Sequence, residues 1–175
     1  LIDDGQDAVQ ELGLPGEDLR SFGAGFDRLL ALEPQEIQVG LLKRLRGAPI
    51  NRHTQEFGLI YHPKAPYELL YNRDIDFLSL QRMKRFARYW DLLGNSGRFP
   101  RSRALIVEDG SPFERFLQLS DWIYATTRQT QGIALQRWYD LLSRGLTEAL
   151  GLEPGQDLAA VQADWELAAA AERRS

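Results

Sequence analysis

The sequence predicts a helix-dominated protein: an α/β start with one helix and one or two strands, a small β-hairpin, and a mainly α-helical C-terminal unit. Three observations predict this class. A helical pattern followed directly by a buried strand is typical of the second half of a β-α-β unit. Two short apolar runs then flank a proline-containing loop, as in a hairpin. Beyond residue 74, apolar residues recur at three- and four-residue steps, which indicates helices.

The first helix follows the turn in "GLPGED" and is predicted to end near Glu33 and Pro34. Glu17 and Asp18 are predicted in its first turn, where carboxylates favour the positive end of the helix dipole. Its apolar stripe is formed by Leu19, Phe22, Phe26, Leu29 and Leu30. This spacing predicts a helix with one buried face.

The segment "EIQVGLL" is predicted as a buried parallel strand, because its apolar residues occupy nearly both faces. A helix that leads into such a strand requires an earlier strand, which should end just before Gly13. The preceding sequence "IDDGQDAVQEL" is acidic, and only Val9 and Leu12 suit a core. The residues before Gly13 therefore do not by themselves predict that strand.

Residues 52–57 are predicted as a short helix, and "GLIYHPKAPYELLYN" as two short strands around a loop at residues 63–66. Four or five helices follow. The first of them has a predicted core stripe of Phe77, Leu80, Met83, Ala87, Trp90 and Leu93.

Ser111 is predicted as a helix N-cap, with Pro112 at the first helical position and a capping box completed by Glu114. This helix should run to about Thr126. The next helix is predicted from Leu135, Trp138, Leu142, Leu146 and Ala149, and the last from Leu158, Val161, Trp165 and Ala168.

The chain has 175 residues, a formal net charge of −4 and 43% hydrophobic residues, as is typical of a globular protein. It contains no cysteine, which excludes disulfides, thiolate zinc sites and an iron–sulfur cluster held by this chain's own thiolates. No apolar run approaches the roughly 20 residues that span a bilayer, and the acidic start lacks the layout of a signal peptide. We therefore expect a cytoplasmic protein without a membrane partner.

The glycine-rich turn "GLPGED" has three interpretations. A phosphate-binding loop is disfavoured, because Glu17 and Asp18 would repel a phosphate and no Lys-Ser or Lys-Thr follows. A sharp strand-to-helix turn that needs glycine dihedrals is the second. The third is a turn at the mouth of an α/β barrel, where such loops line a site for an uncharged part of a ligand.

The chain from Gly13 to about Leu150 resembles the end of a radical S-adenosylmethionine domain and the extension that follows it. The segment "GLPGEDLRSFGAGFDRLLALEPQEIQVGLLKRLRGAPI" resembles the turn after the fifth barrel strand, the next helix and the sixth strand. The segments "EFGLIYHPKAPYELL" and "LQRMKRFARYWDLLGNSGRFPRS" resemble a DUF4080-like C-terminal extension of unknown function, found in bacterial radical S-adenosylmethionine proteins with a cobalamin-binding domain. "GLPGE" alone is moderately specific, and the ordered series of segments is more specific.

This resemblance implies three parts: a barrel end at residues 1–50, a connecting short helix and hairpin at 51–75, and a helical extension at 76–175. It also implies S-adenosylmethionine and a [4Fe–4S] cluster, often together with cobalamin, as cofactors of the full-length family. The family's three-cysteine motif and cobalamin-binding domain lie upstream of the matched part, and neither is in this chain. We therefore expect the chain alone to hold none of these cofactors and to be unable to start radical chemistry. Its expected partners are the rest of the barrel, the cobalamin-binding domain if present, and a substrate of unknown identity.

The stretch before the turn departs from the family pattern, which has an apolar strand there. A truncated reading frame with a foreign start and local divergence of this member are the two alternatives. Both put the fifth strand of the barrel in question.

Carried over residue by residue, the resemblance implies a turn near the adenosyl group. This turn consists of Gly13, Leu14, Pro15, Gly16 and Glu17. Gln38 and Lys43, on opposite faces of the sixth strand, complete the candidate cofactor-binding residues. Lys43 and Arg44 lie near the carboxyl end of that strand, where they would meet an anionic substrate group or form an ion pair at the rim. The ion pair is favoured, and no catalytic residue is assigned.

The basic, aromatic-rich stretch "QRMKRFARYW" is a candidate nucleic-acid surface. Trp90, however, lies on the predicted core stripe, while Arg82, Arg85 and Arg88 share another face. An ion-pairing face is therefore favoured, with the acidic residues 1–36 and the acidic last helix as candidate partners. No nucleic-acid partner is expected from a chain of negative net charge.

His53 and His62 are the two histidines of the chain. A metal site would need Glu56, three residues after His53 at helical spacing, and nothing else in the sequence demands it. Turn and surface histidines are favoured, and no metal site is predicted. Helix packing is favoured over cofactor binding for four aromatic residues, Trp122, Tyr124, Trp138 and Tyr139.

Two functional hypotheses follow. The first is the C-terminal portion of a cobalamin-associated radical S-adenosylmethionine enzyme, inactive alone. The alternative is a non-catalytic helical protein-interaction module that keeps the ancestral sequence. Under the first hypothesis, the strand at residues 37–42 should have unpaired edges, and the isolated chain should aggregate or bind a partner.

Overall fold

A computed structural model describes residues 2–3 and 7–174 of the chain. Asp4, Gly5 and Gln6, part of the stretch that departs from the family pattern, lie outside the described residues. Two compact units are present, the first ending at Ala87 and the second beginning at Arg88. Within the described residues there are six α-helices, two small sheets and no closed barrel, which confirms the helix-dominated fold class.

The first unit begins with a β-α-β arrangement. Strand β1 (Ile2–Asp3) pairs antiparallel with β2 (Asp7–Leu12), and β2 pairs parallel with β3 (Glu36–Leu41). Helix α1 (Leu19–Ala31) connects the two parallel strands. The strand required before Gly13 is therefore present, although its own residues did not predict it.

Helix α1 covers one face of this sheet. The side-chain amide of Gln10 donates a 2.9 Å hydrogen bond to the carbonyl oxygen of Phe22, which places α1 over the face that carries Ala8 and Leu12. Ala8 and Leu12 are fully buried, whereas Val9 on the opposite face is 50% exposed. The predicted core position of Leu12 is confirmed and that of Val9 is wrong, because strand alternation turns Val9 away from the helix.

Helix α1 begins with a capping box. The Asp18 carboxylate accepts a 2.7 Å hydrogen bond from the Ser21 N–H, and the Ser21 hydroxyl accepts one of 3.1 Å from the Asp18 N–H. Glu17 and Asp18 thus precede the helix, and their predicted place in its first turn is wrong. The physical reason is that a carboxylate at the N-cap can bond directly to a backbone N–H that the helix leaves free.

The chain after β3 forms the predicted hairpin, in which β4 (Ile60–Tyr61) pairs antiparallel with β5 (Leu69–Tyr71). A 3-10 helix, Pro49–His53, precedes it and replaces the helix predicted at residues 52–57. Proline at the first helical position moves the start of this helix upstream. The N–H of Leu69 donates to the carbonyl oxygen of Leu42 at 2.8 Å, which joins the hairpin to the chain just beyond β3.

Helix α2 (Phe77–Trp90) continues into a π-helical turn, Asp91–Asn95. Most of its predicted stripe is confirmed as buried, namely Leu80, Met83, Trp90 and Leu93. Phe77 is 45% exposed, so its predicted core position is wrong. Phe86 is fully buried, and it lies against Phe26 with ring centroids 5.3 Å apart.

Four more helices follow: α3 (Pro100–Val107), α4 (Pro112–Thr127), α5 (Leu135–Glu148) and α6 (Pro154–Glu172). The predicted N-cap of α4 is confirmed, since the Ser111 hydroxyl accepts a 3.2 Å hydrogen bond from the Glu114 N–H. Helix α3 was not predicted as a separate helix, although Pro100 at its first position is a helix start signal.

Helix α6 buries a different face from the one predicted. Its buried residues are Asp157, Val161 and Asp164, whereas Leu158 is 60% and Trp165 39% exposed. Both oxygens of Asp164 bond to the start of α3: they accept from the N–H of Arg101 and from the N–H and hydroxyl of Ser102, at 2.7–2.9 Å. Capping of α3 therefore sets the orientation of α6. The predicted stripe is confirmed at Val161 and wrong at Leu158 and Trp165.

Candidate functional site at the carboxyl ends of the parallel strands

The carboxyl ends of β2 and β3 lie side by side at one edge of the first sheet. Gly13 follows β2 directly, and the N–H of Leu42, just past β3, donates to the carbonyl oxygen of Leu12 at 2.9 Å. Residues 13–17 and Lys43 therefore lie at this edge. Ligands of parallel α/β folds bind beyond the carboxyl ends of the strands, where the connecting loops are free to vary.

Gly13 makes the sharp turn that the sequence predicts. Its φ is +100°, and a Cβ atom there would lie 2.4 Å from Cδ2 of Leu69, which is buried. Its carbonyl oxygen accepts a 3.1 Å hydrogen bond from the buried side-chain amide of Asn72. Glycine is therefore required both by the left-handed backbone and by the close approach of Leu69.

The turn is held by residues that follow β5, which sequence reasoning missed. Besides binding Gly13, Asn72 accepts hydrogen bonds from the N–H groups of Asp74 and Ile75, at 2.9 and 2.8 Å. The Asp74 carboxylate accepts from the N–H of Gly16 at 3.3 Å. The signal in the sequence was the "NRD" triplet after β5, since Asn and Asp stabilise turns through such bonds.

Glu17 is the side chain at these strand ends whose pKa is shifted most from its ordinary value. Its Oε2 atom is buried and has no hydrogen-bond partner among the described residues. Burial, and to a lesser degree the neighbouring Asp18, raise the pKa of Glu17 from 4.5 to about 7. At neutral pH this carboxyl is divided between its two protonation states, so it can accept or donate a hydrogen bond to a ligand.

Stability is expected to depend on pH through Glu17. The folded state binds the proton more tightly than the unfolded state, so the free energy of unfolding should fall as pH rises from 4.5 to about 7. Glu17 is half-buried, and solvent screening limits the change to about 1 kcal/mol. Urea unfolding across this pH window should show this decrease in the free energy of unfolding, and Glu17→Gln should make the free energy nearly independent of pH there.

The matched control for that measurement is Glu11→Gln, which alters an exposed carboxylate on β2. This variant should keep the pH dependence of the unmodified chain. If both variants lost the pH dependence of the free energy of unfolding equally, Glu17 would not be the cause of that dependence.

Lys43 and Gln38 occupy different parts of β3 and its continuation. Gln38 lies beside Val9 in the register, on the face away from α1, whereas Lys43 lies past the carboxyl end of the strand. An extended chain of five residues separates them by about 16 Å. They would therefore contact different parts of a ligand.

The predicted rim ion pair does not form in the described part of the chain. Lys43 pairs with Glu68 through its backbone, in an isolated antiparallel bridge. The Glu68 carboxylate instead contacts Nζ of Lys84 at 2.6 Å. Neither Lys43 nor Arg44 has a carboxylate partner within the described residues.

Two other candidate sites can be placed. Trp90 is 1% exposed and packs edge-on against Phe116, with ring centroids 5.0 Å apart, so its predicted core role is confirmed. The imidazole of His53 lies 3.5 Å from the Glu56 carboxylate, at the predicted spacing. Within the described residues, no group of three or more His, Cys, Asp or Glu side chains could hold a metal ion.

The family profile described as "Protein of unknown function (DUF4080)" matches residues 55–163. No curated protein and no solved structure matches the chain. The matched residues include the hairpin and much of the helical part, and they begin after the "GLPGE" turn. Of the helices that the structure describes, none is long and apolar enough to cross a membrane.

Proposed function

We propose that this chain, which belongs to the DUF4080 family of proteins of unknown function, is the C-terminal portion of a radical S-adenosylmethionine enzyme. In this proposal the first unit supplies the last β-α-β elements of the barrel. The helical part is the extension that follows it. The cluster and any cobalamin belong to other parts of the full protein.

The observation that carries the proposal is the face of the first sheet opposite α1. We call it the bare sheet face, and it consists of Asp7, Val9, Glu11, Glu36, Gln38 and Gly40. Within the described part of the chain, each of these residues is at least partly exposed, and Val9 is 50% exposed. Parallel strands are ordinarily covered on both faces, by helices outside and by the opposite strands inside a barrel. In a complete barrel the bare sheet face would be the inner face, covered by the opposite strands.

The residues of the turn fit the adenosyl group that the resemblance implies. Glu17 has an unpartnered buried oxygen, which suits a hydroxyl or amine donor of that group, and the exposed side chain of Leu14 offers an apolar contact. When bound, S-adenosylmethionine would supply the adenosyl group, and Glu17 would hold and orient it. The cluster does not fit this chain, because the chain contains no cysteine.

The test begins with the coding DNA upstream of Leu1. A reading frame that continues upstream and encodes a three-cysteine motif is expected. The longer protein, purified without oxygen and reduced with dithionite, should cleave S-adenosylmethionine to 5′-deoxyadenosine. Absence of such a motif over several hundred bases, or no cleavage by the cluster-loaded protein, would contradict the proposal.

Glu17→Gln in that longer protein should raise the KM for S-adenosylmethionine about tenfold, the effect of one lost charge-assisted hydrogen bond. Glu166→Gln, which alters an exposed carboxylate on α6, is the matched control and should leave the KM unchanged. Equal KM values for both variants would remove Glu17 from the site.

The alternative, a non-catalytic helical interaction module, is favoured by the exposed apolar residues of α6. Leu158 and Trp165, seven residues apart, lie on one stripe and are 60% and 39% exposed. The two proposals differ in the behaviour of the chain alone. A monomer with slow amide exchange along the outer edge of β3 would support the module, whereas aggregation through that edge would support the barrel remnant.

A further inference from the structure

The helical unit contains a cavity of about 440 Å³ that lies outside the site described above. It is lined by the end of α2, by the π-helical turn and by Ser96 and Arg98 just after it, by the loop at residues 130–133, and by Trp138 on α5. Every lining residue belongs to the second compact unit. Its volume falls in the range of about 300–1,000 Å³ found for small-molecule sites.

The walls of the cavity are held in place by specific contacts. The Tyr89 hydroxyl donates a 2.6 Å hydrogen bond to the carbonyl oxygen of Gln129, which fixes the start of the loop. Tyr89 and Trp138 pack edge to face, with ring centroids 5.5 Å apart. The π-helical turn forms another wall, and such turns occur frequently at functional sites.

Two guanidinium groups face this cavity without a carboxylate partner. Arg88 and Arg98 both line it, and neither side chain forms an ion pair or hydrogen bond with any described residue. Asp91 is the acidic residue of the lining, and its carboxylate accepts a 3.2 Å hydrogen bond from the side-chain amide of Asn95. Since Asp91 is one carboxylate against two guanidiniums, the lining has a net positive charge.

The loop that lines the same cavity also carries neutral donors. The backbone N–H groups of residues 130–133 have no hydrogen-bond partner within the described part of the chain. Gly132 has a φ of +73°, and a Cβ atom there would meet nothing within 4 Å. Unpaired N–H groups in a turn of this kind suit an anion.

The remaining lining is apolar. Leu92 and Ile133 are half-buried, and the rings of Tyr89 and Trp138 form the floor. A ligand that filled the cavity would thus place an apolar body on this floor and an anionic group at the arginines. Guanidinium groups are well suited to carboxylates and phosphates, because both can be bound by two parallel N–H donors.

We propose that this cavity is a binding site for a small organic anion, whose carboxylate or phosphate is held by Arg88 and Arg98 and by the loop N–H groups. This site lies in the helical unit alone and does not depend on the proposed enzyme activity. Carboxylate and phosphate ligands share this chemistry, and the experiment separates them.

Benzoate and phenylphosphate are the probes, and benzyl alcohol is their neutral counterpart. Titration of the full chain, followed by calorimetry and by indole fluorescence, should show saturable binding of at least one anion and none of benzyl alcohol. The tighter anion identifies the ligand class. Amide resonances of residues 130–133 should shift in the unmodified protein, a readout that needs no variant.

The double variant Arg88→Gln/Arg98→Gln should weaken binding of the tighter anion about a hundredfold, about tenfold for each charge-assisted contact. Arg101→Gln/Arg173→Gln is the matched control: it removes two exposed arginines of the same unit that do not line the cavity, and it should bind normally. Failure of both anions to bind, equal binding of benzyl alcohol, or unchanged affinity in the first double variant would overturn the proposal.

Discussion

Asp164→Ala is expected to lower the free energy of unfolding of this protein by about 2–4 kcal/mol. The carboxylate is fully buried and accepts three hydrogen bonds, from the N–H groups of Arg101 and Ser102 and from the Ser102 hydroxyl. Its loss leaves buried donors unpaired at the start of α3, and each unpaired donor costs about 1–3 kcal/mol. Urea unfolding of the full chain measures the effect.

Two further variants test the cause. Glu166→Ala, on an exposed part of the same helix, should change stability by about 0.5 kcal/mol or less. Ser102→Ala combined with Asp164→Ala should cost less than the sum of the single changes, because both remove the same 2.7 Å bond. Additive effects, or a loss below about 1 kcal/mol for Asp164→Ala, would show that this carboxylate does not anchor α6.

Gly94→Ala is expected to destabilise the helical unit by about 3 kcal/mol. A Cβ atom at this position would lie 2.4–2.7 Å from three atoms of the Trp90 indole. The ring cannot move aside easily, since Trp90 is 1% exposed and packs against Phe116. Forcing an extra methyl group into such a core typically costs about 1–3 kcal/mol, and here the neighbour is a rigid ring.

Gly155→Ala is the matched control for this prediction. Gly155 lies in the first turn of α6, where a Cβ atom would meet nothing within 4 Å. The change should stabilise the protein by up to about 1 kcal/mol, since alanine favours helix over glycine. A thermal unfolding midpoint for Gly94→Ala as high as that of the unmodified chain would mean that the π-helical turn can relax around the methyl group.

Much of the fold could be predicted because its signals are local. The parallel strand in "EIQVGLL", the hairpin and the N-cap at Ser111 each depend on residues a few positions apart, and each is confirmed. The predicted burial of that strand on nearly both faces is wrong, because only the face toward α1 is covered. The left-handed glycines of the "GLPGE" turn were recognisable in the same way. The role of this turn at a cofactor stays a prediction, as do the domain boundaries at residues 50 and 75.

The parts that could not be predicted depend on residues far apart in the chain. Asn72 binds Gly13 across 59 positions, and Asp164 binds Ser102 across 62. Each sequence segment alone gives only a turn residue or a polar residue on a helix. The two arginines of the cavity likewise face the same space as residues 130–133 only after the helices have packed.

By itself, the sequence determined the order and type of most elements, the absence of thiolate chemistry and the position of the sharp turn before α1. Tertiary structure decided which face of each element is buried. It turned Val9 outward, placed Asp164 rather than Trp165 in the interior and left Glu17 with a buried, unpartnered oxygen. The physical reason is that local hydrogen bonding and periodicity act within a few residues, whereas burial and the satisfaction of polar groups depend on what the rest of the chain brings alongside.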